Sequence, residues 1–159
     1  VPVLRHRLPP EGGRDGVVPA LTVRGLLGRF GAAYLLLLLI LGLALNLLGV
    51  KANAGVNTAA LLGAVMWACL AFGKKNGRYL ARDEKTRAVL GMIAIDLTIQ
   101  AAVSAAAALA AGASVLQLGP MLLVLLFVGV LHAAVIYFFV GMAGRQFAAA
   151  EARRSSSRK

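Results

Sequence analysis

Residues 88–144 read AVLGMIAIDLTIQAAVSAAAALAAGASVLQLGPMLLVLLFVGVLHAAVIYFFVGMAG, a block of 57 residues in which Asp96 is the sole formally charged side chain. A helix rises about 1.5 Å per residue and the hydrocarbon core of a bilayer is about 30 Å thick, so roughly 20 residues cross it and this block holds two spans. Gly112 and the Gly119-Pro120 pair break it in two, because glycine and proline punctuate helices and proline suits the first turn of the next one. Upstream, residues 30–50 and 52–73 are equally free of charge. Four helices are expected, near 31–50, 55–73, 88–111 and 121–142. Helices fit better than barrel strands, since the runs are continuous Leu and Ala without alternation, and in lipid only helices or closed barrels satisfy every backbone polar group.

Composition points the same way. Of 159 residues, 60% are hydrophobic and 14% charged, against roughly 45–50% and about 25% in a soluble domain. A soluble ball of this size cannot hide that much apolar surface, so the excess faces lipid. The single Cys69 excludes an internal disulfide and a cysteine metal cluster. The expected fold is an all-α integral membrane protein with four transmembrane helices in two antiparallel hairpins. Residues 1–25 form a disordered basic arm, 26–144 the transmembrane domain, and 145–159 a disordered basic tail.

Orientation follows from lysine and arginine. Five precede the first span (Arg5, Arg7, Arg14, Arg24, Arg29) and one, Lys51, lies in the first turn. Six lie in the middle loop (Lys74, Lys75, Arg78, Arg82, Lys85, Arg87), and Arg145, Arg153, Arg154, Arg158 and Lys159 follow the last span. Basic residues beside short loops stay in the cytoplasm, which places both termini and the middle loop there. Arg24 and Arg29 before an apolar run, with Ala52-Asn53-Ala54 after it, imitate a signal peptide. The run exceeds the roughly 7–15 residues of such a core, so it is read as a retained span. The net charge of +11 sits beside spans without a nucleic-acid motif, so anionic headgroups at the cytoplasmic face are the expected contact rather than RNA or DNA.

Polar residues inside the spans carry the chemistry. A charge at the bilayer centre costs about 2.5–3.5 kcal/mol even on the lenient insertion scale. Asp96 lies about 12 Å and His132 about 15 Å from the inner ends of the third and fourth helices, so the two are nearly level. Gln100 and Ser104 continue from Asp96 at steps of four, on one helical face, while Asn46 and Asn57 sit at outer depths on the first two helices. Two readings follow: a hydrogen-bonded pair that fixes helix register, or a proton-titrating or ligand site with a hydrated path along Gln100, Ser104 and the asparagines. Gly55, Ala59 and Gly63 recur every four residues and offer a close-packing ridge, expected within the chain, with Ala101, Ala105 and Ala108 as a second.

Other residues read plainly. Cys69 is a small packing residue in an apolar span, His6 an exposed side chain in the basic arm, and residues 82–87 a solvated helix start in which Asp83 could cap the third helix. No Ser-His-Asp arrangement, phosphate loop or two-His motif is present, so no catalytic residue, metal or cofactor is expected and an enzyme is not. The stretch Asn53-Ala54-Gly55-Val56-Asn57, then Ala60-Leu61-Leu62-Gly63-Ala64, then Phe72-Gly73-Lys74-Lys75-Asn76-Gly77-Arg78 with Glu84, resembles an uncharacterised family of small four-span bacterial inner-membrane proteins. The resemblance covers roughly residues 30–110 and implies a bacterial plasma membrane without any activity. Two functions are carried forward: a non-enzymatic bundle that acts as a subunit, binding membrane proteins or itself, and a small proton-coupled transporter or channel using Asp96 and His132.

Overall fold

The computed structural model describes residues 20–50, 54–110, 112 and 118–157. Those residues form four helices, α1 (Val23–Leu47), α2 (Ala54–Asn76), α3 (Arg82–Ala110) and α4 (Leu118–Ser156). All four are long and apolar enough to cross a membrane. The described residues therefore make an all-helical fold with multi-pass membrane character.

All four helices outrun the expected spans at their charged ends, α2 by running to Asn76 rather than 73. α1 begins at Val23 rather than 31, α3 at Arg82 rather than 88, and α4 runs to Ser156 rather than 142. The reason is that charge bounds the hydrocarbon layer, not the helix. Thr22 caps α1, its side-chain oxygen accepting from the Gly25 N–H at 3.1 Å. The tail expected to be disordered is helical because Phe147-Ala148-Ala149-Ala150-Glu151-Ala152-Arg153-Arg154 is rich in helix formers and places arginines at the negative end of the helix dipole. At about 58 Å, this 39-residue helix exceeds any hydrocarbon core and must emerge from it. At the other end α1 stops early, at Leu47, where Gly49 takes a left-handed φ of 68° and the Val50 N–H reaches back to the Leu45 carbonyl.

The main helix contacts are α1 with α2, α2 with α4, α4 with α3, and α3 with α1. The helices thus go round the bundle in the order α1, α2, α4, α3, so the segment joining α2 to α3 crosses a diagonal. It is strapped down firmly. Tyr79 stacks on Phe147 with centroids 6.2 Å apart and donates its hydroxyl to the Val140 carbonyl. Gly77 supplies the left-handed turn, φ 61°, that the Asn76-Gly77 pair announced. Asn76 itself turns back to α1, its amide holding both the N–H and the carbonyl of Leu21 at 2.7 and 2.9 Å.

The N-terminus of α3 is capped by Glu84 and not by Asp83: the Glu84 carboxylate accepts from the Ala81 N–H at 2.9 Å. It also takes both guanidinium nitrogens of Arg78, at 2.6 and 2.8 Å. The Arg78 guanidinium, helped by the Ala81 N–H, holds this carboxyl, which lies ahead of the apolar run starting at Ala88, down at about 2. The pairing therefore persists above the ordinary carboxylate range and is lost only as pH falls from about 4.5 towards 2.

Burial is uneven along the bundle. Towards the basic ends Leu26, Phe30 and Tyr34 of α1 pack with Ala60, Leu61, Ala64, Val65, Ala68, Cys69 and Phe72 of α2 and with Ala88 and Met92 of α3. Ile136, Val140 and Ala143 of α4 complete this core. Beyond it, Leu39, Leu43 and Leu47 of α1, Val103 and Leu109 of α3, and Leu122, Leu126 and Val130 of α4 are exposed. One half of the molecule is solid and the other open.

Candidate functional site

At the boundary between those halves the four helices meet in a polar layer. Asp96 and His132 are its centre, 1% and 4% exposed respectively, and are the buried polar side chains among the described residues. Each helix contributes: Tyr34 from α1, Asn57 and Thr58 from α2, Asp96 and Gln100 from α3, His132 from α4.

Asp96 is held on both oxygens. Its Oδ2 lies 2.9 Å from His132 Nδ1 and accepts from Gln100 Nε2 at 2.7 Å. Its Oδ1 lies 2.8 Å from the Tyr34 hydroxyl oxygen, which lies in turn 2.6 Å from Asn57 Oδ1. His132 Nε2 faces the Thr58 hydroxyl at 3.5 Å. Among the described residues no buried side-chain nitrogen or oxygen is left unsatisfied, which is the condition for a polar layer to survive in a low-dielectric interior.

An amide oxygen carries no hydrogen, so the Tyr34 hydroxyl has two acceptors, Asn57 Oδ1 and Asp96 Oδ1, for its one hydrogen. On the other side, Gln100 Nε2, His132 Nδ1 and Asp96 Oδ2 form a triangle, the Gln100 nitrogen lying 2.9 Å from Nδ1 as well as 2.7 Å from Oδ2. The Asp96 carboxyl thus accepts from Tyr34 on one oxygen and from Gln100 on the other, with His132 beside the second.

Next to this layer, on the open side, lies a cleft of about 650 Å³ between α1 and α3 with its floor reaching α2. Leu35, Leu38, Leu39, Ile99 and Val103 wall it, and Asn57, Gln100 and Ser104 supply its polar surface. Leu35, Leu39 and Val103 are also more than half exposed, so the mouth faces sideways. A second, shallower groove continues down the same seam along Gly31, Ile95 and Thr98.

Of the residues singled out from sequence, the structure brings together Asp96, His132, Gln100 and, through Tyr34, Asn57. Ser104 lines the cleft without bonding to the layer. Asn46 is exposed near the end of α1 and stands apart from the cluster. The expected packing ridge is displaced by one residue: Gly55, Ala59 and Gly63 are exposed, while Ala60, Ala64 and Ala68 are the small residues buried in the core. A four-residue period identifies a face but not which face turns inward, and Ala60 carries the same period as Ala59. Ala101 and Ala105 are likewise exposed.

Tyr34 and Thr58 escaped the sequence reading. The signal for Tyr34 was a hydroxyl well inside a leucine-rich helix, a group that must find a partner in hydrocarbon. Cys69 is buried, and no group of three or more potential metal ligands occurs among the described residues. His6 and Lys51 lie outside the described residues. Compared with protein-family models, curated proteins and solved structures, the chain matches none.

Proposed function

We propose that the chain is a small proton-coupled membrane carrier in which Asp96, partnered by His132, is the proton site. The observation that carries this reading is the buried, completely hydrogen-bonded carboxyl–imidazole pair beside a cleft large enough for a ligand. A pair that served register alone needs no adjoining cleft and no protonatable chain leading to it. We place the protein in a bacterial inner membrane as two antiparallel hairpins, α1 with α2 and α3 with α4, both termini in the cytoplasm. The basic residues at the start of α1, the end of α2, the start of α3 and late α4 support that orientation, and the four-span family it resembles supports the location. The exposed Gly55, Ala59 and Gly63 support the subunit reading instead, as a surface available to another membrane helix.

The test is proton movement in vesicles containing the purified protein and an internal pH dye, driven by an imposed potential negative inside. Wild type is expected to acidify the lumen faster than protein-free vesicles. Asp96→Asn, which keeps size and helix content, is expected to fall to the protein-free rate. Wild type no faster than empty vesicles overturns the carrier reading.

A further inference from the structure

Three polar atoms at the cleft have no hydrogen-bond partner among the described residues: Ser104 Oγ, Gln100 Oε1 and Asn57 Nδ2. At this depth bare polar groups are costly, so the cleft suits an occupant that hydrogen-bonds at one end and is apolar along the rest. The leucine walls and the sideways mouth fit a molecule that lives in the bilayer itself.

Charge narrows the class. Neither lysine nor arginine lines the cleft, and the nearest ionisable side chains are Asp96 itself, Tyr34 from α1 and His132 from α4. α2 presents only the neutral Asn57 and Thr58 to this layer. An anion would meet no positive charge in the cleft wall. A cation would balance the carboxylate left when the Asp96 proton departs.

Tyr34 links the two events. The single Tyr34 hydrogen has two acceptors in reach, Asn57 Oδ1 at 2.6 Å and Asp96 Oδ1 at 2.8 Å, and a protonated Asp96 leaves it to Asn57. Once Oδ1 of Asp96 loses its proton to water, the Tyr34 hydrogen turns to the carboxylate 2.8 Å away and Asn57 Oδ1 becomes a free acceptor at the cleft. Together with Gln100 Oε1 and Ser104 Oγ it then presents three oxygens to a donor-rich head group.

We propose that this cleft binds an amphiphilic ammonium ion in exchange for the Asp96 proton, with Tyr34 as the positioning residue that couples them. The assignment rests on the proton-carrier reading above. The exchange balances: one O–H bond at Asp96 breaks, its proton goes to water, and one cation enters, leaving the net charge of the layer and its ligand unchanged.

Decylammonium and decyltrimethylammonium test it, having the same charge and tail but differing in N–H groups. Each is titrated calorimetrically into the full chain in lipid nanodiscs, with empty nanodiscs subtracted, in two buffers of different ionisation enthalpy so that released protons are counted. Decylammonium is expected to bind saturably and release a proton. Its trimethyl analogue is expected to bind about tenfold or more weakly, the worth of charge-assisted hydrogen bonds. Tyr34→Phe and Asp96→Asn are expected to abolish the proton release. Ser104→Ala, at a half-exposed position outside the layer, is expected to fold normally and weaken decylammonium by about threefold to tenfold.

Equal binding of the two ammonium ions, or saturable binding by wild type without proton release, overturns the proposal. If proton flux in vesicles survives that result, the carrier reading stands and the ammonium assignment falls. If flux is absent while decylammonium still displaces a proton, the binding site stands and the carrier reading falls.

Discussion

Asp96 and His132 lean on one another, and the layer responds differently to losing one partner than to losing both. Removing one leaves the other buried without its hydrogen bond, which costs about 1–3 kcal/mol, whereas replacing both by apolar groups of similar shape is close to neutral. His132→Ala is therefore expected to lower the thermal midpoint in detergent clearly, and Asp96→Leu combined with His132→Phe to restore most of it. A double variant less stable than either single would mean that the polar network itself holds the bundle together. Both central residues were legible in the sequence because depth along a helix follows from residue count alone. Their neighbours were less so: the α1 run is apolar on every side, so no periodicity marks the face bearing Tyr34, and its partner Asp96 lies 62 positions away.

Among the helices, the order of the four apolar runs was legible and the ends were not, since charged turns leave the hydrocarbon without leaving the helix. Hydropathy also says nothing of the joint that fastens α4 to the rest. There Gly73 of α2 receives the Phe147 ring, and Gly144 of α4 receives the Tyr79 ring. A methyl group at Gly73 would come within 2.7 Å of Phe147, and one at Gly144 within 2.6 Å of Tyr79. Both rings are pinned by their mutual stacking, so neither can yield cheaply. Gly73→Ala is expected to destabilise the protein by about 1–3 kcal/mol, as overpacking does. Gly28→Ala, where a methyl meets nothing within 4 Å, is the control and should unfold at the wild-type temperature.

For the whole molecule, the sequence announced four spans and a lopsided distribution of charge, while the circuit α1, α2, α4, α3 was hidden because pairing depends on shape between distant segments. The orientation proposed here predicts that a reporter fused after Ser156 is active only on the cytoplasmic side, and that one inserted after Gly112 is active only outside. The reverse pattern would invert the cleft as well. If the protein is the carrier proposed above, the contrast between a solid half and an open half also limits how it can work. The strapped diagonal, the glycine-seated rings and the filled core make the basic half a fulcrum. Any rocking that turns the ligand from one face of the membrane to the other must come from the loose helical ends acting as levers about the Asp96 layer, so stiffening those ends should slow turnover while leaving proton affinity alone.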